Sequence, residues 1–351
     1  MQQVDAIIVG QGLAGTTLAW TLLDAGLDFV VLDRKTRTSA SEVAAGLMTP
    51  ITGRRFAFQP DWDVDWEVAS TFYRSIEQRI NAERLFHNVR MTRLFRSDEE
   101  AGVFHSKAEG RLDESIDCKP AAHDPTLIRD FYGGFEMSGG KLNVSEYLTL
   151  SRDWLQNSGR LVSADLDLQA PLTIQQGRVE FPEFELSSRW IIYCTGFVSS
   201  PAEFLSSIQF NPAKGEVLDL ELTSHNLPEV IHRGIWIASQ REDSIRVGAT
   251  YKWSDLSDVP TREGRQWLLD RLSEFFVPET RVVGHMAAVR PTMHDFQPVV
   301  GIHPHLPNVG VLNGLGSKGS LTAPRLAQAL VAQMLHQTPV PGKVSLSRWY
   351  N

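Results

Sequence analysis

Two glycine turns of the same spacing, one near each end of the chain, are where this sequence could do chemistry. Gly10, Gly12 and Gly15 follow the apolar run 6–9, and Gly314, Gly316 and Gly319 follow the run NVGVLN. A glycine turn that leads from a strand into a helix leaves backbone N–H groups and the positive end of the helix dipole free to hold an anion. In the first turn Gly10 permits the tight bend, Gly12 lets a pyrophosphate approach the backbone, and Gly15 lets the helix pack on the strand. Leu13 and Ala14 open that helix and supply its free N–H groups. Asp33, with Arg34 beside it, ends the run FVVLD near the roughly 20-residue spacing expected of the acid that binds ribose hydroxyls.

The elements that must position these residues are legible around them. Leu18, Leu22 and Leu23 have helical spacing and Gly26 is the stop, so strand, turn, helix, strand and acid follow in the order of a dinucleotide-binding βαβ unit. The second turn has only a short Pro-rich tail after its helix, so no further strand brings it a ribose acid. Its helix N-terminus, with Ser317, Lys318 and Ser320, is better aimed at the ligand held by the first turn, where it would stabilise negative charge on a reduced cofactor.

Between the two turns, the segment TSASEVAAGLMTP lets backbone run flush against a flat ligand through Ser39, Ala40, Ser41, Ala44, Ala45 and Gly46. Leu47 and Met48 add apolar contact, and Arg54 and Arg55 are surface charges or anion hooks. The buried strand RWIIYCTG ends at Cys194, Thr195 and Gly196, a place for backbone to abut the same ligand, with Cys194 an apolar filler and not a nucleophile.

Elsewhere the pattern is architectural. Val68, Phe72, Ile76 and Ile80 predict a helix over 64–83, and 85–132 reads as short strands and loops. A strand, a Gly139–Gly140 turn and a helix capped by Asn143 and Glu146 come next. Residues 211–251 read as antiparallel hairpins, Thr261 caps a helix carrying Trp267 and Leu268, and Arg290 ends a strand just before Pro291. The expected class is α/β, α+β overall: a Rossmann-type domain from 1–55, 140–205 and 296–351, interleaved with an antiparallel-sheet substrate domain from 56–139 and 206–295.

Composition narrows the function. With 351 residues and 42% hydrophobic content the chain can bury a large core. A net charge of −8 argues against a nucleic-acid partner or an anionic membrane surface. Cys118 and Cys194 make neither a disulfide framework nor a metal cluster, which fits the cytoplasm and no metal. No signal-like segment precedes the first strand and no run is long enough to span a bilayer.

Taken together, IIVGQGLAG with VVLD, SEVAAGLMTP, IIYCTG, VGATYKW, VRPTMHDFQPVVG and LNGLGSKGSLTAP resemble the D-amino-acid oxidase/glycine oxidase superfamily of FAD-dependent oxidoreductases. The last two blocks are also similar to the flavin domain of the bifunctional tRNA wobble-uridine modification enzyme, which oxidatively removes a carboxymethyl group from an amine on the nucleotide. The resemblance implies that Gly10, Gly12, Gly15 and Asp33 hold the ADP part of FAD, and that Ala44, Ala45, Gly46 and Met48 lie along the isoalloxazine. It implies that Thr195 and Gly196 touch the cofactor, and that the stretch from Gly314 to Ser320 puts a helix N-terminus at the flavin pyrimidine edge. Arg290 takes the position of the family's substrate-carboxylate arginine, and a guanidinium fork suits that role.

Three departures stand out. Asp33 replaces the family's more frequent Glu. No Cys lies in VRPTMH, where sarcosine oxidase-like relatives attach flavin, so noncovalent FAD is expected. Ser317-Lys318-Gly319 stands where glycine oxidase-like members carry Arg-Asn-Gly.

The implied reaction oxidises a small amine or amino acid, by hydride transfer from the carbon next to nitrogen to flavin N5, and water hydrolyses the imine. Tyr251 and His294 are the candidates for polar contact with the amine, Lys318 is a further candidate catalytic residue, and oxygen or a separate electron carrier is the expected oxidant. The alternatives are an RNA-modifying flavoenzyme and a flavin-bound subunit of a larger dehydrogenase complex. The sequence does not fix the oligomeric state.

Overall fold

A computed structural model describes every residue except 35–38, 54, 110–117, 165, 169–171, 199–201, 223–226, 242 and 351. Its first sheet has eight strands and is built on Gln2–Val9. That strand pairs in parallel with Phe29–Asp33 on one side and Leu186–Tyr193 on the other. Leu161–Ser163 extends the sheet beyond Phe29–Asp33, and Leu306–Asn313 pairs in parallel with the far half of Leu186–Tyr193. These strands read as unbroken apolar runs because both faces are covered. Ala6, Ile8, Phe29, Val31 and Ile192 pack beneath the helices Leu13–Asp24 and Gly319–His336. Ile7, Val9, Val30, Leu32 and Ile191 point the other way, against Leu205, Ile208 and Leu346. Each fully buried Ile or Leu contributes about 1.5–3 kcal/mol, so both faces of the parallel centre are anchored.

The second sheet has nine strands and packs its two faces differently. Its order runs from Thr280–Arg290 through Ala213–Leu222, Ser244–Gly248, Ile235–Arg241, Val230–Arg233, Phe86–Leu94 and Gly134–Leu142 to Leu47–Met48. Leu218, Val247, Ile237 and Ile231 are neighbours across the strands and join the cluster under helix Arg262–Ser273. The adjacent row, Val217, Gly248, Trp236, His232 and Arg93, lies on the opposite face. One residue of register therefore separates core side chains from side chains that face the cavity.

Several local expectations change. Gly139 and Gly140 form no turn but lie inside strand Gly134–Leu142. A Cβ on Gly140 would sit 2.7 Å from the Trp66 ring, so glycine is there for close packing. The helix expected over 64–83 is Trp62–Arg79, with Ala69, Phe72, Tyr73 and Ile76 buried. The stretch 85–132 holds a helix, Asp98–Ala108, capped by Ser97 and carrying three acids in its first turn. Asn143 caps helix Val144–Asn157 through Glu146 N–H, but its reciprocal bond to Glu146 is side chain to side chain. The reciprocal capping box lies instead at Ser39 and Glu42, at the start of the single-turn helix Ala40–Val43. No helix among the described residues is long and apolar enough to cross a membrane.

Candidate functional site

One cavity of about 1780 Å³ runs from Asp33 and Arg34 to Arg290 and Tyr251, lined by residues of both sheets. Its first wall is mostly backbone. Gly10 lies in the left-handed region, and a Cβ on Gly15 would fall 1.9 Å from the Gly10 carbonyl oxygen, so helix Leu13–Asp24 starts tight against the turn. That helix has no capping side chain of its own. Its Leu13 N–H donates to Ser41 Oγ at 3.0 Å, which ties the small-residue segment to the phosphate-type turn. Helix Gly319–His336 also begins without a side-chain cap. Two uncapped helix N-termini open into the same cavity, an arrangement that suits anionic groups at two points.

Asp33 is held in a network. One oxygen accepts Gln11 N–H at 2.9 Å, and the other pairs with Arg152 at 2.8 Å. The Arg152 guanidinium also donates to Gln11 Oε1, while Gln11 Nε2 donates to Leu148 O. At the second turn Asn313 donates to Gly196 O at 2.9 Å, and its Oδ1 accepts Gly314 N–H at 2.8 Å. Asn313 therefore joins the Thr195–Gly196 strand end to the start of the second helix. Burial pushes the Cys194 thiol well up, which keeps it a neutral filler.

The second wall is made of side chains from the antiparallel sheet. Arg290 donates to Thr250 O at 3.2 Å, and its guanidinium lies 4.1 Å from the centre of the Tyr251 ring. No carboxylate among the described residues pairs with it, and burial lowers its pKa. Gly215 makes the space, because a Cβ there would come within 2.2 Å of the guanidinium. His232 also faces the cavity; its Nδ1 is buried without a partner, and burial brings its pKa down to about 3. Lys318, at the rim, donates to Gln59 Oε1 at 3.0 Å, and the protein around it lowers its pKa.

The cavity brings together Gly10, Gly12, Leu13, Ala14, Asp33, Arg34, Ser41, Ala44, Ala45, Gly46, Met48, Thr195, Gly196, Gly316, Ser317, Lys318, Gly319, Ser320, Tyr251 and Arg290. Gly15 and Gly314 do not line it; they sit behind their turns, Gly314 against Met293. His294 is a correction. It is exposed and away from the lining, because Met293 before it anchors in the core and turns the chain outward. Arg55 is exposed, and Arg54 lies outside the described residues.

Sequence reasoning missed Gln11, Arg152, Asn313, Gly215 and His232. Gln11, inside the first turn, and Asn313, adjoining the second, stood where a motif could have flagged them.

The chain matches the family DAO, FAD dependent oxidoreductase, over residues 5–333. It belongs to that family. As a DAO-family flavoprotein it takes FAD as its cofactor. It is 25% identical, over 94% of its length, to the tRNA 5-methylaminomethyl-2-thiouridine biosynthesis bifunctional protein MnmC of Marinobacter nauticus, covering 55% of that protein. It is 23% identical, over 94% of its length, to the bifunctional protein ThiO/ThiG of Nostoc sp., covering 52% of it. The DAO-family chain thus spans about half the length of the curated relatives it matches.

Its fold is that of glycine oxidase from Bacillus cereus, with a TM-score of 0.82 at 17% identity over 96% of each chain. Iminodiacetate oxidase from Chelativorans sp. aligns with a TM-score of 0.75 at 18% identity, over 97% of this chain and 98% of that one.

Proposed function

We propose that this flavoenzyme oxidises the carbon–nitrogen bond of a small carboxylated amine in the cytoplasm, with Arg290 holding the carboxylate. The observation that carries the proposal is the Arg290 guanidinium. It lies in the cavity, half-buried, in a space that Gly215 leaves open, with one backbone acceptor and no carboxylate partner among the described residues. A guanidinium in that condition gains most from a bidentate anion supplied by a ligand.

The residues present fit noncovalent FAD. Asp33 would accept the ribose hydroxyls, and the N–H groups of Gly12 and Ala14 would face the pyrophosphate, that of Leu13 being taken by Ser41 Oγ. The stretch from Ala44 to Met48 would lie along the flat ring, with Gly316–Ser320 at its anionic edge. FAD, when bound, takes up hydride from the carbon next to nitrogen. Arg290 orients that carbon through the carboxylate, and the Tyr251 ring packs against its guanidinium. Water then hydrolyses the released imine. Oxygen or a separate electron carrier would re-oxidise the flavin.

A panel of amino acids and N-alkyl amino acids mixed with the FAD-loaded protein under nitrogen tests the reading: at least one should bleach the flavin, and bleaching by none would end the proposal. Arg290→Ala should lower kcat/KM for the best carboxylated substrate about 100-fold, roughly 2.7 kcal/mol. Unchanged turnover would remove Arg290 from the site.

A second reading, oxidation of a carboxymethylamino group on tRNA, is favoured by the MnmC relatives alone. The net charge of −8 weighs against a polyanion, and binding of tRNA that weakens steeply with salt would favour this second reading.

A further inference from the structure

The geometry points to an amine that carries a bulky apolar or aromatic substituent, gripped at the cavity mouth by Tyr251, Trp253, Leu256 and Trp267. This rests on the proposed oxidation of a carboxylated amine and names the class of substrate. All four side chains line the cavity, and all four are exposed, Trp253 at 60% and Trp267 at 40%. Single exposed apolar side chains are ordinary, but four that line one cavity mark a binding surface. The rim is continuous with the anion hook: the Arg290 guanidinium is 4.1 Å from the Tyr251 ring centre, and that ring is 6.3 Å from Trp253. A carboxylate on Arg290 would therefore place the rest of its molecule against the aromatic rim.

The rim is held in place by a buried charge that the oxidation does not use. Lys214 is fully buried, and its ammonium donates to Asp255 Oδ2 at 2.6 Å, Ser257 Oγ at 3.0 Å and Val259 O at 2.5 Å. Its backbone also exchanges two hydrogen bonds with Lys252. At the far end of the loop Glu216 accepts from Thr261 N–H and Oγ1 and pairs with His285. Burying an ammonium costs several kcal/mol unless it is fully partnered, and here every partner lies in the segment that carries the rim. The loop is thus fixed before a ligand arrives, which reduces the entropy lost on binding. Asp258 and Glu263 line the same mouth, with Lys252 as the only lining cation from that segment. This balance favours a free small molecule over a polynucleotide.

The test uses FAD-loaded protein under nitrogen with glycine, N-methylglycine, phenylalanine and N-benzylglycine, alongside tryptophan-fluorescence titration with acetate and phenylacetate. We expect kcat/KM at least tenfold higher for the best aromatic substrate than for glycine, and phenylacetate to bind at least tenfold tighter than acetate. Trp253→Ala and Trp267→Ala should each reduce both ratios by tenfold or more, and Trp253→Phe should restore most of the loss. Equal rates for glycine and the aromatic amines overturn the rim, as does phenylacetate that binds no better than acetate. Equal loss for all substrates in Trp253→Ala would show a structural role and overturn it too, as would reduction confined to an amine borne on RNA. If no amine reduces the flavin while phenylacetate binds at the rim, the oxidation reading fails and the rim stands.

Discussion

The two walls of the cavity are built from different material. The wall formed by the parallel sheet presents backbone: two glycine turns, two uncapped helix N-termini and the Ala44-Ala45-Gly46 stretch. The wall formed by the antiparallel sheet presents side chains, among them Arg290, Trp236, His232 and Arg93, drawn from four strands. Backbone donors read an invariant shape, such as a pyrophosphate, and admit little variation. Side chains on a sheet face can be exchanged one at a time without disturbing the ladder beneath them. The first wall therefore suits a cofactor common to a family, and the second suits whatever substrate one member takes.

The sharpest way to break this contrast is Gly15→Ala. Its Cβ would meet the Gly10 carbonyl at 1.9 Å, and that backbone, set by the turn itself, cannot yield. We expect purified protein with little flavin absorbance and a stability loss of about 3 kcal/mol or more. A variant with full flavin content would show that the backbone wall tolerates change.

Asp33→Ala ranks next. It removes the acceptor of Gln11 N–H and leaves the Arg152 guanidinium without its carboxylate. FAD affinity should fall about 10- to 100-fold, roughly 1.4–2.7 kcal/mol, measured by flavin fluorescence titration. Arg152→Met should reproduce part of that loss if the pair acts as a unit.

The smallest expected effect belongs to the side-chain wall and appears only with acid. His232 is held neutral by burial, with its pKa near 3 instead of the ordinary value of about 6.5. A depressed folded-state pKa means that its contribution to stability is complete above pH ~6.5 and is lost as pH falls towards 3. Between pH 7 and pH 5, urea unfolding should show the wild type losing about 1–2 kcal/mol more than His232→Gln. Parallel loss in both proteins would mean that His232 is already solvated and free to protonate.

Much of the backbone wall was legible because its determinants are contiguous. Gly10, Gly12 and Gly15 sit within one turn, and the apolar run before them and the helical spacing after them complete the signal within about thirty residues. Gly139–Gly140 shows the limit of that logic: the pair reads as a turn, yet Trp66, Phe86 and the Met48 carbonyl crowd it into a strand. His294 shows the converse, a chemically capable residue in a family-like segment that faces outward because Met293 beside it is fully buried.

The sequence by itself determined the dinucleotide turn, the acid at Asp33, the second helix N-terminus and the arginine before Pro291, since each depends on neighbours a few residues away. Only the tertiary structure decided that Arg152 locks Asp33, that Gly215 opens space for Arg290, and that Lys214 fixes an aromatic rim across the mouth. Those relations join residues 119, 75 and 41 or more positions apart. They follow from strand register and helix packing, in which a shift of one residue would turn each side chain away from the cavity.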